Sequence, residues 1–355
     1  MKLNVRNRSS QMAVLVVTAA LFLFAEFAQA RRFFNPPAEI TEYRLDSRVS
    51  MPMHMGFDDQ SNLWVGAFRD GKLLRYTYNG ETQVYDVTTQ HIDPSRGPMN
   101  LWVDPRDGGV WFSAIPANIV NVKVDGTVHT YDIPTPRSMP MGVSGDTHGN
   151  VWFSEMFGNK IGVIRPSGQI EEFDIPHKLS MPAGITVDRY DNKWFAMTAP
   201  GKIGVLRANG TFGFYNLPIG AHPMGIQHTR HQKTDLVWFT ETVGNSIGSI
   251  SPLTGKIQLY RVPTFASVPM MIMEDALGQV WFTEFAGNQI GFRGLNGRIL
   301  EYDVPTRAAG PMGLDINPRD QSVWFTEVLR NRIGRMVNPS VPSGPPTPPM
   351  PMATD

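Results

Sequence analysis

Val280-Trp281-Phe282-Thr283-Glu284, with Asn288-Gln289-Ile290-Gly291 just behind it, is a phrase that this chain writes repeatedly. It returns as Val151-Trp152-Phe153-Ser154-Glu155, as Val237-Trp238-Phe239-Thr240-Glu241 and as Val323-Trp324-Phe325-Thr326-Glu327. Weaker copies are Leu63-Trp64-Val65, Val110-Trp111-Phe112-Ser113 and Lys193-Trp194-Phe195-Ala196. The tryptophans at 64, 111, 152, 194, 238, 281 and 324 are 47, 41, 42, 44, 43 and 43 residues apart. Seven copies of a unit about 42 residues long are the mark of supersecondary units that stack to bury one continuous core.

A second phrase recurs between the tryptophans. It is Glu42-Tyr43-Arg44-Leu45, then Val84-Tyr85-Asp86-Val87, Thr130-Tyr131-Asp132-Ile133, Glu172-Phe173-Asp174-Ile175, Phe214-Tyr215-Asn216-Leu217, Leu259-Tyr260-Arg261-Val262 and Glu301-Tyr302-Asp303-Val304. Alternating apolar and polar residues stopped by Pro, as at Pro134, Pro176, Pro218, Pro263 and Pro305, read as a strand and its end. In the third unit, strands begin at Pro140, Val151, Ile161 and Gln169, separated by turns at Gly149-Asn150, Gly158-Asn159 and Ser167-Gly168. The fold expected is therefore all-β, a seven-bladed β-propeller with four antiparallel strands per blade. The seventh unit has no outer strand after Met336, whereas Tyr43 precedes the first tryptophan. Residues 40–45 are expected to supply the missing strand, so that an N-terminal outer strand closes the ring and removes a sheet edge.

Outside the repeat, residues 1–30 read as an export signal. Lys2, Arg6 and Arg8 precede an apolar run from Met12 to Phe24, and Ala28-Gln29-Ala30 is a small-residue cleavage site. The propeller is expected over 31–337, and 338–355, with Pro345, Pro346, Pro348 and Pro349, as a disordered Pro-rich tail. Cleavage leaves 29 basic and 31 acidic residues, a net charge of about −2, in a periplasmic or extracellular monomer with no further membrane segment. The chain has no cysteine, so the fold is held by packing without disulfides. No basic run favours nucleic acid. There is no G-x-S-x-G, no H-E-x-x-H and no P-loop.

Equivalent positions of seven blades form rings around a central channel. Glu155, Glu241, Glu284 and Glu327 make a carboxylate ring, with Ala67, Ala114 and Met197 in the other blades. Converging carboxylates hold a hard cation such as Mg²⁺ or Ca²⁺ or act as acid and base; the bland alternative is that each one bonds nearby backbone. Met53, Met99, Met141, Met224, Met270 and Met312, with Ala183 in blade four, make a methionine ring at the start of the innermost strands. It reads as an apolar plug at the channel mouth, or as thioethers for a soft metal such as Cu(I), given Met51-Pro52-Met53-His54-Met55. His54 and His222 flank this ring; His228 and His231 are spaced three apart in an expected loop.

The blade consensus, P-x-G-I, G-N-V-W-F-T-E, G-N-x-I-G-x-I-x-P-x-G and I-x-E-F-x-I-P, resembles that of the virginiamycin B lyase (streptogramin lyase) family over residues 40–337. The resemblance implies a Mg²⁺-assisted carbon–oxygen lyase that opens a cyclic ester or lactone-like small molecule in the funnel, without water. It gives the metal to Glu284, with Glu241 and Glu327 beside it. The family's histidines, in P-H-A or P-H-G phrases, fall here on Met224 and Met270, and a thioether accepts no proton at neutral pH. His222, two residues from Met224, is the candidate replacement base. The alternative is a non-enzymatic propeller that binds a small molecule or an exported protein partner through its funnel. A gluconolactonase-type hydrolase would need a Glu, Asn and Asp set that the sequence does not assemble.

Overall fold

The computed structural model describes residues 39–45, 51–87, 97–228 and 235–339. The expected signal at 1–30, the tail from 340 onward and His231 lie outside the described residues. The described chain forms 28 strands, β1 to β28 in order, in seven antiparallel four-stranded sheets. In the third sheet these are β10 (Pro140–Gly145), β11 (Val151–Glu155), β12 (Lys160–Ile164) and β13 (Ile170–Asp174), running from the axis outward. In the seventh, β1 (Ile40–Arg44) lies outside β28 (Arg332–Met336), which pairs with β27 (Val323–Glu327) and then β26 (Pro311–Ile316). The N-terminal strand closes the ring as the offset of the two phrases implied, with Tyr43 opposite Ile333.

Both phrases are explained by one contact. The tryptophan of each second strand meets the aromatic ring of its blade's outer strand. Examples are Trp111 on Tyr131 at 5.4 Å, Trp194 on Tyr215 at 5.6 Å and, across the closure, Trp324 on Tyr43 at 5.6 Å. Such pairs add to the burial of large apolar area. In blades three to seven the phenylalanine that follows points to the sheet's other face, where the third strand carries glycine; in blade two Phe112 faces Val120. A Cβ on Gly162, Gly291 or Gly334 would lie 2.1, 2.1 or 2.0 Å from the rings of Phe153, Phe282 and Phe325. The I-G-x-I phrase is the notch that receives this ring.

The Ser or Thr before each glutamate links blades. Six of the seven innermost strands bulge after their proline, as between Pro140 and Val143, which frees a backbone N–H. Ser154 Oγ accepts that of Gly142 (2.9 Å) and donates to the carbonyl of Ala183 in the next blade. Thr240 does the same with Gly225 (2.9 Å) and Met270 (2.7 Å), and Thr283 with Met271 (3.1 Å) and Met312 (2.8 Å). The hydroxyl satisfies a buried donor and acceptor that would otherwise be left unmade. Asn338 is buried and its Nδ2 donates to Asp275 (3.2 Å), so the first residue of the expected tail packs on the body.

Candidate functional site: a methionine-lined channel

The seven innermost strands surround a central cavity of about 1180 Å³. All six methionines of the ring, Met53, Met99, Met141, Met224, Met270 and Met312, line it, and Ala183 takes the seventh place. Further thioethers come from Met55, Met156, Met181, Met271 and Met273. Met55 stands in the Met51-Pro52-Met53-His54-Met55 stretch already noted; the other four were missed because they lie outside the Pro-Met phrase, Met181 preceding its blade's proline and Met156 following its glutamate. The rim on this side carries exposed apolar residues. Leu179, Ile219 and Phe265 sit on loops entering blades four, five and six, and Phe157 and Val243 on turns just after Glu155 and Glu241.

His54 and His222 also line the cavity. Burial pushes the His54 imidazole down to about 4, and its Nδ1 is shielded from solvent without a hydrogen-bond partner. The backbone N–H of His222 donates to the Glu241 carboxylate, and its carbonyl accepts from Thr242 N (3.1 Å) and Oγ1 (2.9 Å). His228 is not in a loop as expected but ends β18 (Pro223–His228), with its Nε2 3.1 Å from Asp235 Oδ1.

The four ring glutamates are not in the channel wall. Glu155, Glu284 and Glu327 are fully enclosed and Glu241 nearly so, each at the end of its own strand. No three of them converge: among the described residues the one gathering of three metal-ligating groups is Asp146, His148 and Asp191, whose donor atoms lie within 4.8 Å of one another. Asp146 in that group already accepts from the N–H groups of His148 and Asn150, Asn150 Nδ2 and Trp152 Nε1. Its hydrogen bonds hold a turn that Asp188 and Asp275 hold in their own blades, through Trp194 and Trp281.

Two of the ring glutamates instead face a second carboxylate. Glu155 sits by Glu172 and Glu284 by Glu301, on the outer strands of the same blades. The outer glutamate tethers the incoming loop. Glu172 accepts Thr135 N (2.9 Å) and Oγ1 (3.0 Å), and Glu301 accepts Thr264 N (2.7 Å) and Oγ1 (3.1 Å). In the closing blade Glu42 does this for Thr306, at 2.8 Å to each atom. Burial, then the neighbouring carboxylate, raises Glu155 to about 8 and Glu284 well above the carboxylate range. Glu241 is raised by burial, against the backbone N–H of His222 and Gly244. A raised folded-state value means that the native protein holds a proton the unfolded chain gives up. The stability is therefore complete below about pH 4.5 and lost as pH rises through about 8. Glu155→Gln is expected to flatten that loss by a few kcal/mol. Thermal melts at pH 5 and 8.5 check it; parallel losses in wild type and variant would refute the assignment.

The profile of the virginiamycin B lyase family matches residues 38–318. The chain belongs to that family. Virginiamycin B lyase of Nocardia farcinica is 27% identical over 245 residues, covering 69% of this chain and 68% of the relative. A streptogramin B lyase structure superposes with a TM-score of 0.77 at 30% identity, over 84% of this chain and 97% of that one. A catalytically inactive histidine-to-alanine variant of virginiamycin B lyase from Staphylococcus aureus, with quinupristin, gives 0.78 at 27%, over 85% and 100%. Against this family, the site here departs in two ways. The carboxylate matched to its metal ligand, Glu284, is enclosed beside Glu301 rather than facing the channel. The groups that do face it are chiefly thioethers, which are poor ligands for a hard cation. The residues of the methionine ring therefore do not fit Mg²⁺; carboxylates enter the cavity lining elsewhere, where Asp146 and Asp191 belong to the one cluster of cation-ligating groups among the described residues.

Proposed function

We propose that this member of the virginiamycin B lyase family is a binding propeller, and that its channel takes a large, mostly apolar cyclic ligand such as a type B streptogramin depsipeptide. The observation that carries this reading is the methionine lining of a cavity of about 1180 Å³, continued outward by the apolar rim. Thioethers adapt their shape and pack against aromatic rings, so the wall suits a bulky ligand without supplying a proton acceptor at Met224 or Met270. Exposed apolar groups around a concave site mark a binding surface. Calorimetric titration with a type B streptogramin is expected to show one ligand per chain, weakened at least about tenfold by Met224→Lys, which buries a charge in the wall. Equal affinity in wild type and variant would remove the ligand from the channel.

A second reading is favoured by the position of His222 in the channel wall, held through its N–H by Glu241. There His222 would take the proton from the carbon adjacent to the alcohol-side carbon of the ester; those electrons form a carbon–carbon double bond as the alkyl carbon–oxygen bond breaks, leaving an alkene, a carboxylate and the proton on the imidazole. Under this reading turnover proceeds with no change of mass and ceases in His222→Ala.

A further inference from the structure

Seven of the chain's eight tryptophans are the repeated residue of a second strand, and all seven are buried. Trp102 is the eighth. It stands on the innermost strand of blade two, β6, which is only Leu101–Val103, and it faces Trp111 across the strand pair. Its side chain lines the channel and is partly exposed there. The residues opposite the repeated tryptophan in the other blades are Gly56, Ser144, Thr186, Gln227, Met273 and Asp315. Two of these serve the neighbouring blade's backbone: Thr186 Oγ1 accepts His228 N (3.1 Å) and Asp315 Oδ2 accepts Phe57 N (2.7 Å). An indole donates only, so Trp102 cannot take that role. Blade three instead makes room for it. A Cβ on Gly145 would lie 2.1 Å from Trp102 Cη2 and 2.5 Å from Cζ2, so the far end of the indole rests on this glycine. The corresponding places hold Phe57, Val103, Val187, His228, Glu274 and Ile316, none of them glycine. The same hairpin leans on blade three a second time, where a Cβ on Gly149 would lie 2.3 Å from Arg106 Nη1, and Asp104 holds Arg106 Nε (2.8 Å). The indole is therefore seated on a fixed surface. The N–H groups of Trp152, Trp194 and Trp281 are bound to aspartates. Trp102 Nε1 has no hydrogen-bond partner among the described residues and, unlike that of Trp111, is not sealed from solvent.

We propose that Trp102 is a ligand-positioning residue of the channel: its Nε1–H donates to a carbonyl oxygen of the bound ring while the exposed part of the indole packs against the ring's apolar side. A tryptophan couples a large rigid apolar surface to a single directional donor, which suits a ligand that is apolar over most of its area. The inference rests on the binding reading above and sharpens it. The ligand must offer an ester or amide oxygen on an apolar face, as a cyclic depsipeptide does, and a ring without such an oxygen leaves the donor unpaired in the wall.

The test is calorimetric titration of the full chain with a type B streptogramin, comparing wild type, Trp102→Phe, Trp102→Leu and Met224→Lys. Trp102→Phe keeps a ring on Gly145 and removes the donor, so affinity should fall about fivefold or more; Trp102→Leu should lose about tenfold or more. In nitrogen-resolved proton spectra, the indole N–H signal that is missing from Trp102→Phe should move downfield as the antibiotic is added to wild type. A merely structural indole would not show that shift. Acrylamide quenching needs no ligand and no variant that folds: it should find one accessible tryptophan in the wild-type chain. Thermal melts identify folded variants. Equal affinity in wild type and both folded Trp102 variants, with Met224→Lys weakened, overturns the role of Trp102 and leaves the binding channel standing. An N–H signal unmoved at saturation, or tryptophan emission that acrylamide does not reach, overturns it as well. No binding by wild type removes both readings together.

Discussion

Deleting residues 31–46 lowers the unfolding temperature by at least about 10 °C, or prevents accumulation of folded protein. The deletion takes β1 out of the seventh blade and exposes the edge of β28. It removes the Tyr43–Trp324 stack, the buried Leu45 and the Glu42 tether to Thr306, which Arg332 Nη1 joins at 3.3 Å. Blade seven then meets blade one without its outer quarter, although Thr326 Oγ1 still reaches Met53 O (3.5 Å) at the axis. The single change Tyr43→Ala should show part of this effect, about 3 kcal/mol from loss of a buried aromatic ring. A melt that matches wild type after the deletion would contradict closure by this strand.

The second large effect is expected at the glycine notch. Gly291→Val places its Cβ 2.1 Å from Phe282 Cζ, and Phe282 is fully buried between sheets. Blade two pairs Phe112 with Val120, so the combination is tolerated where the surrounding core is built for it; the core around Phe282 is packed over a glycine, so the ring must be displaced at a cost of about 3 kcal/mol or more. Blade one shows the compensated arrangement: Leu74 takes the glycine position and faces Val65 rather than Phe. Adding Phe282→Val should therefore restore part of the stability that Gly291→Val removes, and the two changes should be strongly non-additive. Denaturant unfolding of the four proteins measures this. Additive losses would mean that the notch is not what holds glycine there.

The fold was legible because its determinants are local and repeated. The Trp–aromatic pairing links two phrases that the chain writes seven times, and the offset between them specifies the closing strand. What escaped the sequence depends on contacts between elements far apart in the chain. Glu155, Glu284 and Glu327 look like a ring when the blades are aligned, but they end second strands, one strand out from the axis, and are enclosed there. Their partners, Glu172 and Glu301, come from outer strands whose glutamates read as ordinary alternation. A comparison within the repeat holds the clue: blades three, six and seven have glutamate at both places and threonine in the incoming loop, at Thr135, Thr264 and Thr306. The methionine ring was legible since proline marks its level in every blade. The shortened β6 was not, because nothing near Leu101 announces that pairing with Phe112 begins so late.

The measurement that bears most directly on the central claim is a mass-resolved incubation of the protein with a type B streptogramin and Mg²⁺, with and without chelator, followed by liquid chromatography. A methionine-lined binding channel predicts that the antibiotic is recovered intact and co-elutes with the protein in both conditions. A ring-opened product of unchanged mass, lost with chelator or in His222→Ala, would contradict it and establish elimination in this channel.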